Sequence, residues 1–332
     1  MLRWLRVRHG PSMVARPRPK LSLPWVLHVT LGMLLCAFPL FDILGFERAF
    51  ASSLLVAFTS PIVGIRWTYG HPERSPWRLF CEALSLNTAM LLPSVLFGSI
   101  VELVKTPCNP TQGLVFFLLL GVCNAAFGTA LGLWAAKFRI RALRFGFVIL
   151  TLASFLGAAL WRLYAEPQIF AYSTPFGYWP GSLYDEALEV STGLWAFRAY
   201  STALTLALVT ALGLLNTGKP RYAFGLALCI ASATLAYREG GKLGFGYDRS
   251  SLRSALARHV QTEHFDIYVD PSISQASLRE LVSDHEFRYA QLKDFFKEEP
   301  DGRITSFVYR DVRQKQRLMG AGRTQIARPW ER

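Results

Sequence analysis

Long apolar runs, separated by short polar segments, occupy most of the first 240 residues of the chain. A bilayer core about 30 Å thick needs roughly 17–25 apolar residues per helix. Seven runs reach this length or come close to it, and none of them contains a charged residue. They are residues 23–41, 49–65, 83–101, 113–136, 145–161, 199–215 and 222–237. The pattern predicts a polytopic α-helical membrane protein with about seven transmembrane helices, or six, since the second and seventh runs are short.

Lys and Arg are unevenly divided between the segments that join these runs. The N-terminal tail and every second connection after it carry 15 of them, whereas the alternate connections carry 4: Arg48, Lys105, Arg162 and Arg198. The positive-inside rule therefore predicts a multi-pass protein of the cell inner (cytoplasmic) membrane with a cytoplasmic N-terminus. With seven spans the C-terminal region is extracytoplasmic, and with six it is cytoplasmic.

Composition divides the chain into four parts. Residues 1–22 form a basic cytoplasmic tail, and 23–238 form the transmembrane domain with a long outer loop at 162–198. Residues 239–249 are a glycine-rich linker. Residues 250–332 are rich in both acidic and basic side chains, and this composition predicts a small, incomplete α/β (α+β) soluble region.

The periodicity of this last region predicts alternating helices and strands. Helices are expected at 250–259, 274–297 and Val312–Met319, and strands at Phe265–Val269 and 304–309, with a third possible strand at 324–327. Ser272 or Ser274 would cap the long second helix. The predicted order is α-β-α-β-α-β.

This order and its residues resemble the start of a gluzincin metallopeptidase domain of the peptidase-MA-like kind. The segments that carry the resemblance are HFDIYV at 264–269, SFVY at 306–309, KQRLMGAG at 315–322 and ARPW at 327–330. The preceding membrane spans are similar to those of bacterial membrane-anchored members. The resemblance implies a protein or peptide substrate on the outer side, and a zinc-binding HExxH helix shortly after the last segment.

The zinc motif itself is missing from these 332 residues. HExxH places two His one helical turn apart with a Glu beside the metal-bound water. No two of the six His have this spacing: His9, His28, His71, His259, His264 and His285. We therefore assign no catalytic residue, metal ligand or cofactor within the chain, and expect zinc only if an HExxH helix follows. The chain looks cut short just where that helix is expected.

The outer loop 162–198 supplies the first group of candidate functional residues. Tyr178 and Trp179 suit a membrane interface or a docking platform. Asp185 and Glu186 could be acid/base groups or metal ligands, but capping of a helix at about 184–192 is the more ordinary interpretation.

Polar residues inside the predicted spans form the second group. His28, Asn87 and Asn124 are the candidates, because an intramembrane polar or ionisable side chain is a functional hint. Packing between helices through hydrogen bonds is the simpler role. The small-residue pairs Gly121–Ala125 and Gly128–Gly132 predict close helix contact in the fourth span.

Two classes of function remain after these considerations. One is a membrane-anchored zinc metallopeptidase whose zinc motif lies outside this chain. The other is a non-enzymatic membrane sensor or anchor whose outer region binds a ligand or partner. A transporter is less favoured because the predicted spans lack charged residues. The expected partner is the lipid bilayer, and binding to nucleic acid is not expected.

Overall fold

The computed structural model describes residues 21–105, 109–181 and 188–323. The chain divides into two compact units. The helical unit comprises the described residues within 21–160, 172–179 and 189–245, and the α/β unit comprises those within 161–171, 180–188 and 246–323.

Apolar helices build the helical unit. In chain order they are α1 (Ser22–Leu34), α2 (Phe46–Gly70), α3 (Pro76–Ala89), α4 (Leu92–Glu102), α5 (Pro110–Phe116), α6 (Cys123–Ala135), α7 (Arg141–Ala165), α8 (Thr192–Thr217), α9 (Pro220–Arg238) and the short α10 (Gly240–Leu243). A 3₁₀ turn, Leu35–Ala37, extends α1, and a π-helical turn, Phe117–Val122, joins α5 to α6. The helix α10 lies inside the stretch that the sequence predicts to be a linker.

Five helical segments of the described residues are long and apolar enough to cross a membrane. They are Phe46–Gly70, Pro76–Glu102, Pro110–Ala135, Arg141–Ala165 and Thr192–Thr217. Ser22–Ala37 is apolar but shorter, and α9 is not among the five. The prediction of a polytopic helical protein is thus supported, whereas the count of seven spans is not confirmed.

All five segments begin three to seven residues before the apolar runs that the sequence predicts. α2 begins at Phe46 and α8 at Thr192, so Arg48 and Arg198 lie inside membrane-length helices. The predicted runs themselves contain no charged residue, but the helices extend beyond them and carry charged residues, Arg48 and Arg198 among them. Their helices start earlier because Gly45 and Ser191 precede them in extended conformation, and Ser191 accepts a hydrogen bond from the Leu194 amide.

Small residues bring α2 and α6 into close contact at the centre of the helical unit. A Cβ atom built on Gly132 would lie 2.4 Å from the Pro61 carbonyl oxygen, and one built on Gly128 would lie 1.9 Å from Ser60 Oγ. A Cβ atom built on Gly64 would likewise lie 2.8 Å from the Thr129 carbonyl oxygen. The predicted pair Gly128–Gly132 in the fourth span is thus a contact surface between α6 and α2.

A short hairpin, β1 (Ala171–Ser173) and β2 (Gly177–Trp179), follows α7. Within the stretch that the sequence predicts to be an outer loop, most of this hairpin belongs to the helical unit. Its residues from Ile169 to Phe176 include several that are buried.

The α/β unit contains a three-stranded sheet of β3 (Arg258–Gln261), β4 (Phe265–Val269) and β5 (Ile304–Val308), with β4 in the middle. β3 pairs antiparallel with β4, and β5 pairs parallel with it, Phe265 opposite Ile304. The helices of this unit are α11 (Arg249–Ala255), α12 (Gln275–Phe296) and α13 (Val312–Met319). Apolar side chains of β4 and α12 form the core: Phe265, Ile267, Val269, Leu278 and Tyr289.

Most of the predicted elements of this unit are confirmed. The strand Phe265–Val269 and the helix Val312–Met319 have the predicted bounds, and α12 differs by one residue at each end. The helix predicted at 250–259 is wrong in its second half, because α11 ends at Ala255 and β3 follows. The possible strand at 324–327 lies outside the described residues.

Candidate functional site

A buried arginine on α8 is the most unusual polar feature of the helical unit. Arg198 is only 2% exposed. Its Nη1 donates to the Thr174 carbonyl (3.2 Å), and its Nη2 donates to Asn124 Oδ1 (3.0 Å). Among the described residues its Nε has no hydrogen-bond partner, and no carboxylate forms an ion pair with it. Burying a cation without an anion costs free energy, so a negatively charged or strongly polar partner would stabilise this position.

The hairpin holds the guanidinium of Arg198 from one side. Gly177, the first residue of β2, has φ of +94°, which an L side chain rarely adopts. A Cβ atom there would also lie 3.0 Å from both Arg198 Nη2 and a methyl carbon of Leu120. Glycine at this position therefore allows the hairpin to close directly over the arginine.

The two aromatic candidates of the loop lie on this hairpin and are half-buried. The Tyr178 ring stacks on Tyr172 (centroids 4.9 Å apart) and meets Phe46 edge to face. Trp179 meets Phe50 edge to face at 6.1 Å. These contacts attach the hairpin to α2, and they are packing contacts of the helical unit. Asp185 and Glu186 lie outside the described residues.

The three predicted intramembrane polar residues are all buried between helices. His28 Nε2 lies 3.0 Å from Thr59 Oγ1, and Asn87 Nδ2 donates to Thr129 Oγ1 (2.8 Å). Asn124 differs from them, because its oxygen accepts from Arg198. The structure thus brings one predicted residue, Asn124, into the site and places the other two in interhelical hydrogen bonds.

Arg48 on α2 is the second buried arginine, with no exposed surface. Its nitrogens donate to the carbonyls of Phe41, Gly32, Ser94 and Asp42 and to Cys36 Sγ, at 2.7 to 3.3 Å. All three nitrogens are satisfied, so this side chain ties α1, α4 and the segment before α2 together. Arg48 is structural, whereas Arg198 keeps an unused donor.

The sequence pattern places both arginines in outer connections and does not reveal their burial. The only signal was their position, one residue before the start of a predicted span. A helix that begins a turn or more earlier carries such a residue into the bundle.

In the α/β unit each histidine has a separate partner. His264 Nδ1 lies 2.7 Å from Glu286 Oε2, and His285 Nε2 lies 3.0 Å from Ser306 Oγ. His259 Nε2 lies 3.0 Å from Asp266 Oδ1 on the neighbouring strand. The pairs stabilise the sheet and its contact with α12.

Two carboxylates of this unit have perturbed acidity. Hydrogen bonds from the Ser272 hydroxyl and amide hold the pKa of Asp270 below its usual value, and Gln314 adds a further donor. Burial raises the pKa of Glu286, but hydrogen bonds from Thr262 and His264 outweigh it, so the net shift is downward. Both groups are held ionised by local donors, which is a structural use of charge.

The residues that the structure describes do not fit a zinc ion. They contain no group of three or more His, Cys, Asp or Glu side chains that could hold a metal. Each histidine of the α/β unit instead has a different hydrogen-bond partner: Asp266 for His259, Glu286 for His264 and Ser306 for His285.

Fold and site together define a helical protein with membrane-length helices, a buried arginine site and a small α/β unit. Searches among known protein families, curated proteins and solved structures find no match to this chain.

Proposed function

We propose that this protein is a membrane-anchored relative of the gluzincin metallopeptidases. Seven helices of the inner membrane hold the α/β unit on the outer side, where this unit contributes to the binding and cleavage of a protein or peptide. The N-terminus is cytoplasmic, as the distribution of Lys and Arg predicts. Zinc would be bound by an HExxH helix outside these 332 residues.

The exposed apolar side chains of α12 carry this proposal. Leu278, in its first half, is 3% exposed and packs on the sheet. In its last turns Phe287, Leu292, Phe295 and Phe296 are 55%, 55%, 77% and 64% exposed. A soluble unit rarely leaves so many large apolar side chains in water without a partner. Further protein that covers this part of α12 would be provided by the remainder of a peptidase domain.

The order of elements is the second support. β4, α12, β5 and α13 follow one another, and β4 and β5 pair in parallel. The order of these elements is part of the resemblance to the segments before the zinc helix.

The test uses the protein isolated from its native membranes. We expect an intact mass above 37.3 kDa, about one zinc per chain, and peptide hydrolysis that a chelator abolishes and added zinc restores. A mass equal to that of the 332 residues, without bound zinc or peptide hydrolysis, would refute the proposal of a metallopeptidase.

The alternative is a non-enzymatic membrane protein whose outer region binds a partner. It is favoured by the histidines of the α/β unit, because each of them has a different hydrogen-bond partner and no two of them converge. The pairs are His259–Asp266, His264–Glu286 and His285–Ser306. Under this alternative the protein from native membranes would retain a partner on α12 and contain no zinc. Cross-linking from a photoreactive residue at Phe295, followed by mass spectrometry, separates a partner chain from a covalently continuous domain.

A further inference from the structure

A cavity of about 610 Å³ lies in the helical unit beside Arg198. Its walls come from the π-helical turn, α6, α8 and α9, and include Leu118, Leu119, Trp195, Arg198, Leu206 and Leu228. The volume falls within the range of about 300–1,000 Å³ that is usual for small-molecule sites. The lining is apolar apart from a few groups, of which Arg198 carries the only charge.

The cavity opens on the outer surface of the helices. Leu118, Trp195 and Leu228 line it and are 49%, 49% and 58% exposed. On helices of membrane length, exposed Leu and Trp side chains face acyl chains. A ligand from the bilayer can therefore enter sideways.

The polar and apolar parts of the cavity are separated along α8. At about 1.5 Å per residue, Arg198 lies about 9 Å and Leu206 about 21 Å from the first residue of the helix, Thr192. The 26 residues of α8 span about 39 Å, compared with a hydrocarbon core of about 30 Å. In a helix centred on the bilayer, Arg198 lies about one turn below the headgroups and Leu206 lies near the middle.

The state of the arginine indicates the charge of the ligand. Arg198 is buried, and within the described part of the chain its Nε has no hydrogen-bond partner and its guanidinium has no ion pair with a carboxylate. A charge-assisted hydrogen bond to an anion would compensate this burial. Phosphate is an acceptor that suits the planar guanidinium.

A second, independent feature marks the same wall. Leu118 and Leu119 belong to the π-helical turn Phe117–Val122. Such turns interrupt the regular hydrogen bonds of a helix and occur frequently at functional sites.

We propose that this cavity binds one anionic phospholipid of the surrounding bilayer. An acyl chain lies along α8 between Trp195 and Leu206, and a phosphate oxygen accepts a hydrogen bond from Arg198. This site is separate from the proposed peptidase function, which concerns the α/β unit.

The experiment incorporates the full chain into nanodiscs of equal parts phosphatidylglycerol and phosphatidylcholine. Native mass spectrometry after release into mild detergent then counts the retained lipids. We expect one phosphatidylglycerol per chain, retained at least tenfold over phosphatidylcholine, and loss of this preference in Arg198→Gln. Equal retention of both lipids, or an unchanged preference in a folded Arg198→Gln, would overturn the proposal.

Filling the cavity provides a test that leaves the arginine and its hairpin intact. Ala203 lines the cavity, so Ala203→Phe should displace the retained phosphatidylglycerol. Ala223→Phe adds the same ring to an exposed position of α9 outside the lining and should retain it. Retention of the lipid in Ala203→Phe would place it elsewhere on the protein and refute the site.

Discussion

Replacement of Gly132 by alanine should push α2 and α6 apart. The added Cβ would lie 2.4 Å from the Pro61 carbonyl oxygen and 3.0 Å from two further backbone atoms of Pro61. Ordinary van der Waals contact begins at 3.4 Å, so the backbones must separate by about 1 Å. Forcing one extra carbon into a packed interior costs about 1–3 kcal/mol. We expect the upper part of this range, because the clash is with backbone and no rotamer change relieves it.

Gly157→Ala on α7 is the matched control. Nothing lies within 4 Å of a Cβ at this position. Alanine is preferred over glycine in a helix by about 0.8–1.0 kcal/mol, so the control should be neutral or stabilising. Both variants add the same methyl group to a membrane-length helix, and only its surroundings differ.

The assay is unfolding of the purified protein in mild detergent, followed by intrinsic fluorescence against temperature and against added denaturing detergent. Gly132→Ala should unfold at lower temperature and lower denaturant than wild type, whereas Gly157→Ala should not. Equal midpoints for the two variants would refute the close approach of α2 and α6.

Three further results are expected. Arg48→Lys should lower the free energy of unfolding by about 2 kcal/mol or more in the same assay, because one ammonium cannot reach five acceptors on separate segments; an unchanged midpoint would contradict this. The low pKa of Asp270 means that its stabilising effect is complete above the unfolded-state value of about 3.9 and is lost as pH falls through the lower folded-state value. The wild-type melting temperature should therefore fall more steeply below pH 4 than that of Asp270→Asn, and parallel curves would exclude this role. Hydroxyl-radical footprinting should modify Phe295 and Phe296 in the isolated 332-residue chain but protect them in native membranes, and equal modification in both would mean that nothing covers α12.

Local patterns were sufficient for several elements of the α/β unit. β4 alternates buried and half-buried residues, so its period of two was visible in the sequence. Neighbouring residues set both ends of α13. Asp311 caps its first turn, and Gly320 ends it with φ of +95°. These signals depend on residues within one turn, which is why they could be identified without a structure.

β3 could not be identified in the same way. Arg258–Gln261 has only one strongly apolar residue, Val260, and follows directly on a helix. Its extended conformation depends on pairing with β4, where His259 lies opposite Tyr268. Pairing with a neighbouring strand overrides a weak local preference.

The sequence by itself determined that long apolar helices dominate the described part of residues 21–245, because apolar composition over about 20 residues is a property of the chain alone. Only the tertiary structure decided the fate of its polar residues. Arg198 finds its acceptors at Thr174 and Asn124, which are 24 and 74 positions away, and Arg48 finds one at Ser94. A charge at the edge of an apolar run can face water or enter the bundle. The choice depends on whether distant carbonyl and amide oxygens converge on it, because a desolvated guanidinium is stable only where such acceptors replace water.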